Sequence, residues 1–229
     1  MGDQNIDYLM NVIKERRSIR KYKDTPIPDE SIELMLEAAR WAPNGENYQP
    51  WRFIVIKDKE TIRKLGLIGA RASGRRFLQQ YKSGALGSRF AKLPEAKREK
   101  IIKKMIEGRV SGFVGTAQVV IAACGVSKEG VDMPMDLAAA TQNMCLVAHA
   151  LGLGACWVIG ATKDPRDGNK TEKLLGVPED VYVHYVISFG YPDESPNPRP
   201  RKPLYDIVFA EQYGQRFFKE RTSSEPEAL

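Results

Sequence analysis

Arg16, Arg17, Ser18 and Arg20 place three guanidinium groups and a hydroxyl within five positions. Such a cluster suits an organic phosphate, which is close to a dianion at neutral pH and offers several acceptor oxygens. Arginine forks meet those oxygens with charge-assisted bonds worth about 1.5–3 kcal/mol each when shielded from water. Exposed arginines at helix ends are common on other grounds, so the cluster alone decides nothing. The loop Asn44-Gly45-Glu46-Asn47-Tyr48-Gln49, followed by Pro50-Trp51, is more specific. Asn44, Asn47 and Gln49 supply amides, Gly45 an unhindered backbone, and the Pro-Trp step is rigid. Groups of this kind suit the polar edge of a flat ring that presents alternating donors and acceptors beside an apolar face. In Gly152-Leu153-Gly154-Ala155-Cys156-Trp157-Val158-Ile159-Gly160 the glycines permit close backbone approach, and Trp157 supplies a flat wall. Arg199 and Arg201 bring further positive charge from the far end of the chain.

Other chemistries lack their residues. His149 and His184 have no carboxylate or cysteine at metal-ligand spacing nearby, and each reads as a core histidine. No GxGxxG, GxxxxGK(S/T) or GxSxG occurs. Cys124, Cys145 and Cys156 are odd in number, widely spaced and set among apolar residues, which predicts buried, reduced thiols and no disulfide framework. No metal site is expected. A difficult reaction on this chain therefore falls to a bound cofactor.

The elements that must position these groups follow from periodicity. Ile6, Leu9, Met10 and Ile13 share one helical face, with Asp3 or Asn5 as cap. A second helix follows Pro28-Asp29, with Ile32, Met35, Leu36 and Ala39 inward, and ends before Pro43. Phe53 to Ile56 is a short strand, and Asp58 caps a short helix reaching about Ile68. Residues 70–93 are rich in Gly, Ser and Arg without a clean period, which predicts a loop or mobile insertion. Lys97 to Glu107 is helical, Gln118 to Cys124 a buried strand, Met135 to Leu151 a helix flanked by protein, and Val181 to Phe189 a strand. Five prolines between Pro192 and Pro203 predict an extended tail that crosses a surface.

The 229 residues suffice for one sizeable core, and no apolar run approaches a membrane span. The N-terminus has no signal-peptide pattern, which makes the cytoplasm the expected compartment. The net charge of +6 is local: residues 71–110 hold twelve Lys or Arg against three Glu, and the remainder is slightly acidic. A solvated helix face explains that segment most simply. A lid over an anionic substrate or cofactor phosphate comes next. Nucleic-acid binding ranks third, because no motif accompanies the charge.

Taken in order, RRSIRKY, AARWAPNGENYQPWRF, ALGLGACWVIG and GYP…RPRKPL resemble the FMN-dependent nitroreductase family, over residues 8 to about 208. The resemblance implies an α+β fold, a mostly antiparallel sheet flanked by helices, and an intertwined homodimer with FMN at the interface. It implies one domain over 1–229, with a basic insertion or lid at about 70–110 and a partner-wrapping tail from about 192. By position, Arg16, Ser18 and Arg20, beside Arg17, would hold the phosphate and nearby ribityl oxygens, and Arg199 and Arg201 would complete that site. Asn44, Gly45, Asn47 and Gln49 would line the ring and ribityl chain from the other subunit. Trp157, Val158, Ile159 and Gly160 would supply ring-edge contacts.

The implied activity passes hydride from NADH or NADPH through flavin N5 to an electron-poor acceptor such as a nitroaromatic or quinone. No side chain is needed as acid or base. Arg75 and Arg76 are candidates for favouring the extra phosphate of NADPH. Three alternatives stand beside this reading. One is a reductive dehalogenase resembling the iodotyrosine branch, which carries a lid at the corresponding insertion. The others are a non-catalytic flavin-binding redox sensor and a nucleic-acid-binding module.

Overall fold

The structure is a computed structural model that describes residues 2–126 and 133–218. Its centre is set by Val119-Val120-Ile121-Ala122-Ala123-Cys124, a run with no polar side chain to turn outward. This strand, β2 (Val119–Val126), is buried on both faces. It pairs antiparallel with β1 (Trp51–Ile56) on one side and with β4 (Val181–Gly190) on the other. Antiparallel β3 (Gly154–Val158) adds to β4 and gives the order β1-β2-β4-β3. Trp51 stands opposite Gly125, Val119 opposite Phe189, and Gly154 opposite Gly190. The predicted α+β fold with a mostly antiparallel sheet is the one observed.

Alternation along β2 divides the core in two. Val119, Ile121 and Ala123 join Ile187 and Phe189 beneath α2 (Asp29–Arg40) and α7 (Met133–Ala150). Val120, Ala122 and Cys124 point the other way, against Ile62 and Leu65 of α3 (Lys59–Lys82) and Leu174 of α8 (Pro165–Leu175). Each large aliphatic side chain so buried contributes about 1.5–3 kcal/mol. Asp58 caps α3 as expected, its carboxylate accepting from Thr61 N at 2.8 Å. The first helix, α1 (Gly2–Glu15), begins ahead of both Asp3 and Asn5, so neither precedes it as a cap. Its apolar stripe is open: Ile6 is 62% exposed and Leu9 52%.

The segment after Ile68 departs from the loop expected there. Helix α3 runs on to Lys82, and α4 (Ala85–Arg89) and α5 (Glu95–Ile106) follow. Ser73 and Gly74, two of the residues that suggest a loop, join Gly66 and Gly69 in a small-residue face of α3. A Cβ on Gly66 would come 2.5 Å from Gly115 N, and one on Gly74 2.6 Å from Ile106 O. These positions let the chain from Ile106 through α6 (Arg109–Gly112) to Gly115 lie directly on the helix. Phe77, Leu86, Ile102 and Met105 close a small core of their own, with the basic side chains facing outward.

The chain divides into two units, residues 1–196 and 197–229. In the second, Asn197 to Pro203 is irregular and is followed by α9 (Leu204–Ile207) and an antiparallel bridge between Phe209 and Arg216. The Arg216 guanidinium lies 4.7 Å from the Phe209 ring centre. The end of the tail expected to wrap a partner, residues 219–229, lies outside the described residues.

Candidate functional site

The outer edge of β3 receives the chain as it leaves α1. Ser18 forms a parallel bridge with Ala155, and Ile19 N donates to Ala155 O at 3.0 Å. Glycine makes that approach possible, since a Cβ on Gly154 would lie 2.6 Å from Ile19 Cβ. One turn of chain later Tyr22 covers Gly190 in the same manner. The Tyr22 hydroxyl donates to Ile19 O at 2.7 Å and lies 2.8 Å from Ser188 Oγ. Burial holds this phenol protonated far above the usual tyrosine range. The segment 18–22 is thereby fixed to the sheet by its backbone and by one buried hydroxyl network.

Three arginines lie on that segment or immediately before it. Arg17 folds back, donating to the Lys14 and Arg16 carbonyls at the end of α1, where a cation also complements the helix dipole. Arg20 donates to Ser18 O at 3.1 Å, and its guanidinium lies 5.8 Å from the centre of the Phe113 ring. Glu194 reaches the backbone N of Arg20 at 2.6 Å rather than its guanidinium. Arg16 is half-buried. Among the described residues, none of the three guanidinium groups has a carboxylate within 4 Å. A half-buried cation without a counter-ion is expensive in isolation and marks a place where an anion fits.

Trp157, Val158, Ile159 and Gly160 continue the same edge. Val158 is buried in the core, whereas Trp157 and Ile159 are partly open at 36% and 39%. The Tyr185 ring meets Trp157 edge-on with centres 4.7 Å apart. Gly160 packs on Ser111, whose Oγ would sit 2.7 Å from a Cβ there. Ser111, Phe113, Tyr22 and Glu194 thus belong to the surroundings of the site, and sequence reasoning missed them. Their partners lie far away along the chain, and no local pattern marks them.

The loop from Asn44 to Gln49 is internally braced. Asn44 Oδ1 accepts from Gln49 N at 2.8 Å, and Gln49 Nε2 donates to Asn47 Oδ1 at 3.2 Å. Glu46, Asn47 and Gln49 all have positive φ, at 52°, 54° and 51°. Left-handed conformation costs a non-glycine residue about 1 kcal/mol or more, and such clusters concentrate where shape serves a ligand.

Sheet order separates this loop from the arginines. It enters β1 at Trp51, which registers through Gly125 with Tyr182, whereas Ser18 meets Ala155 opposite Phe189. Three strand spacings make roughly 14 Å, and the run from Tyr182 to Phe189 adds roughly 24 Å, so the diagonal is roughly 28 Å. Arg16, Ser18, Arg20 and Trp157 to Gly160 come together on one edge. Asn44, Gly45, Asn47 and Gln49 lead into the opposite edge, diagonal to Ser18 but level with the far end of β3, since Val158 registers through Val186 and Ala122 with Ile54. Arg199 and Arg201 belong to the C-terminal unit, where Arg201 donates to the Arg199 and Pro200 carbonyls at 3.3 Å.

A sequence profile of the nitroreductase family matches residues 13–191, spanning both the arginine segment and all four strands. The chain belongs to the nitroreductase family. A protein of Archaeoglobus fulgidus provisionally named NADH dehydrogenase/NAD(P)H nitroreductase is 34% identical over 190 residues, 82% of this chain and 88% of its own length. The NADH dehydrogenase of Thermus thermophilus is 28% identical over 197 residues, 85% and 91% of the two chains. Among solved structures, an FMN-dependent nitroreductase of Clostridium difficile superposes with a TM-score of 0.65 at 27% identity, covering 89% of this chain and 99% of that one. As a nitroreductase-family member the chain is an oxidoreductase. Among the described residues no group of His, Cys, Asp or Glu could hold a metal ion, and no helix is long and apolar enough to cross a membrane.

Proposed function

We propose that this nitroreductase-family protein is an FMN-dependent oxidoreductase that passes reducing equivalents from NADH or NADPH to an electron-poor acceptor such as a nitroaromatic or a quinone. The observation that carries the reading is the edge of β3. There Arg16 and Arg20, which have no carboxylate within 4 Å among the described residues, stand beside the partly open Trp157 to Gly160 stretch. The residues present fit a flavin with a phosphate tail: cations and the Ser18 hydroxyl for the phosphate, then a flat apolar wall and close-approaching backbone for the ring. When bound, FMN supplies the two-electron chemistry. Arg16 and Arg20 would hold the phosphate, with Arg199 and Arg201 as further contributors. Arg17 would add to the local field while capping α1. Val158, Ile159 and Gly160 would present backbone to the ring edge, where fixed dipoles stabilise negative charge without reorganising.

A single chain supports only part of such a site. Roughly 28 Å separates the Ser18–Ala155 end of this edge, where the phosphate cations sit, from the loop's entry into β1, more than one flavin mononucleotide spans. A second copy would bring its own Asn44, Gly45, Asn47 and Gln49 to this edge and make the protein a homodimer. The open stripe of Ile6, Leu9, Met10 and Ile13 supports such a partner, because a monomer rarely leaves a contiguous apolar face in water. Three buried free cysteines accord with a reducing compartment such as the cytoplasm.

The purified protein should be a yellow dimer with one FMN per protomer that bleaches under anaerobic NADH or NADPH. Reoxidation by a nitroaromatic or quinone should restore the colour. Colourless protein that takes up no added FMN, or a flavin inert to both nucleotides, overturns the reading.

A further inference from the structure

An open cavity of about 390 Å³ lies between α3 and the loop that joins β3 to α8, lined in part by Arg75, Arg76, Gly160, Lys163 and Arg166. Two of these cations are already neutralised. Arg75 is ion-paired with Asp167, which is 1% exposed and ties α8 to α3. Arg166 is held at 2.6 Å by Asp164, the N-cap of α8. Among the described residues Arg76 and Lys163 have no carboxylate within 4 Å. The Arg76 guanidinium lies 4.7 Å from the centre of the buried Phe77 ring, which restrains it at the cavity wall. The lining and its two acids therefore carry a surplus of two positive charges on separate elements. Gly160 ties this cavity to the edge of β3, so a ligand held there would lie beside the proposed flavin ring.

We propose that this cavity binds a phosphate-monoester dianion through Arg76 and Lys163, the 2′-phosphate of NADPH being the source its place favours. The inference rests on the function proposed above. A phosphate-monoester dianion matches the surplus charge, and NADPH carries that group where NADH has a hydroxyl. Charge-assisted bonds to a phosphate explain why two cations from α3 and from the β3–α8 loop face one space. A phosphate on the acceptor substrate offers the same chemistry, and the experiment distinguishes the two sources.

The test measures binding of 2′-AMP, phenyl phosphate and adenosine to the purified protein at fixed ionic strength by equilibrium dialysis or calorimetry. It compares the natural chain with R76Q/K163Q and with the charge-retaining R76K/K163R. We expect 2′-AMP to bind at least tenfold more tightly than adenosine, R76Q/K163Q to lose that advantage, and R76K/K163R to keep most of it. The KM for NADPH should rise about tenfold in R76Q/K163Q and that for NADH should not move. Phenyl phosphate binding as tightly as 2′-AMP supports the phosphate site and assigns it to the acceptor. Equal binding of 2′-AMP and adenosine, or unchanged 2′-AMP binding in R76Q/K163Q, overturns the proposal. Because dialysis reads the nucleotide and not turnover, loss of flavin chemistry would be seen separately as failure to bind FMN.

Discussion

Gly154→Ala tests whether the arginine segment is positioned by its seat on β3. A Cβ at this site would lie 2.6, 2.7 and 2.8 Å from three Ile19 side-chain atoms. Carbon atoms prefer about 3.5–4.0 Å, so each contact is short by roughly 0.7–1.4 Å. Ile19 is 6% exposed and its N–H is bonded to Ala155 O, so it cannot swing aside. Relief must come from the backbone of residues 18–20, at an overpacking cost of about 1–3 kcal/mol. The same displacement moves Arg20 and the Ser18 hydroxyl. Loss of one charge-assisted bond to a phosphate, about 1.5–3 kcal/mol, weakens FMN roughly ten- to a hundredfold. Gly152→Ala is the control two residues away. Gly152 has φ 74° and nothing within 4 Å of a Cβ, so alanine there costs about 1 kcal/mol of backbone strain without touching Ile19. Urea midpoints and FMN fluorescence titrations separate the two effects. Both variants should lose stability, and G154A alone should lose FMN. Wild-type FMN affinity in G154A, or an equal loss in G152A, would refute the positioning argument.

Arg75→Met should destabilise the protein by about 2–3 kcal/mol in thermal or urea unfolding. It strands the buried Asp167, and the value sits below the 3–5 kcal/mol of fully buried pairs because Arg75 is 40% exposed. Adding Asp167→Asn should recover most of the loss, and a purely additive double variant would contradict the coupling. Burial lowers the pKa of His184, outweighing nearby Glu172, so its folded value lies below the ordinary 6.5. The unfolded chain then binds the proton more readily. The stability from keeping this imidazole neutral is present above about pH 6.5 and is lost as pH falls from there toward the folded value. His149 shifts in the same direction for the same reason. Tm should drop from pH 7 to 5, and less steeply in H184Q; equal slopes would remove His184 from the account. Burial pushes the Cys124 thiol up to about 12 and the Cys145 thiol up to about 11, so at pH 8 the thiolate is scarce. Neither should react with a thiol reagent until urea unfolds the chain, and rapid native labelling would contradict their burial.

Periodicity or apolar content revealed α1, α2, β2 and β4, because in each the signal is carried by neighbouring residues along the chain. It missed the second half of α3, where Ser73 and Gly74, with Gly69 and Gly66 one and two turns before them, serve close packing against Ile106 to Gly115 instead of chain reversal. A glycine chosen for a helix crossing and one chosen for a turn are the same letter, and only the partner distinguishes them. It also missed α8, whose polar surface conceals the helix, although Asp164-Pro165 carries the N-cap and first-position signal. The arginine segment and the stretch from Trp157 to Gly160 stand out in the sequence by residue type. Their contact through Ser18 and Ala155, and the Tyr22–Ser188 contact that steadies it, join residues more than a hundred positions apart.

Two features that look unrelated within one chain have a common explanation. The apolar stripe of α1 faces open solvent, and the strained loop from Asn44 to Gln49 stands at the sheet corner diagonal to the cations it was expected to serve. Neither is favourable for an isolated molecule: among the described residues the apolar stripe stays exposed, and Glu46, Asn47 and Gln49 hold left-handed backbone that costs free energy. A second copy would supply what each lacks, covering the stripe and carrying its loop to the partner's β3 edge. Dimerisation and flavin binding are then thermodynamically linked, because each stabilises the arrangement the other requires, and FMN bound between chains raises the stability of both by mass action. On this account the loop strain is offset only in the assembled site, while a single chain leaves the loop remote from the arginines.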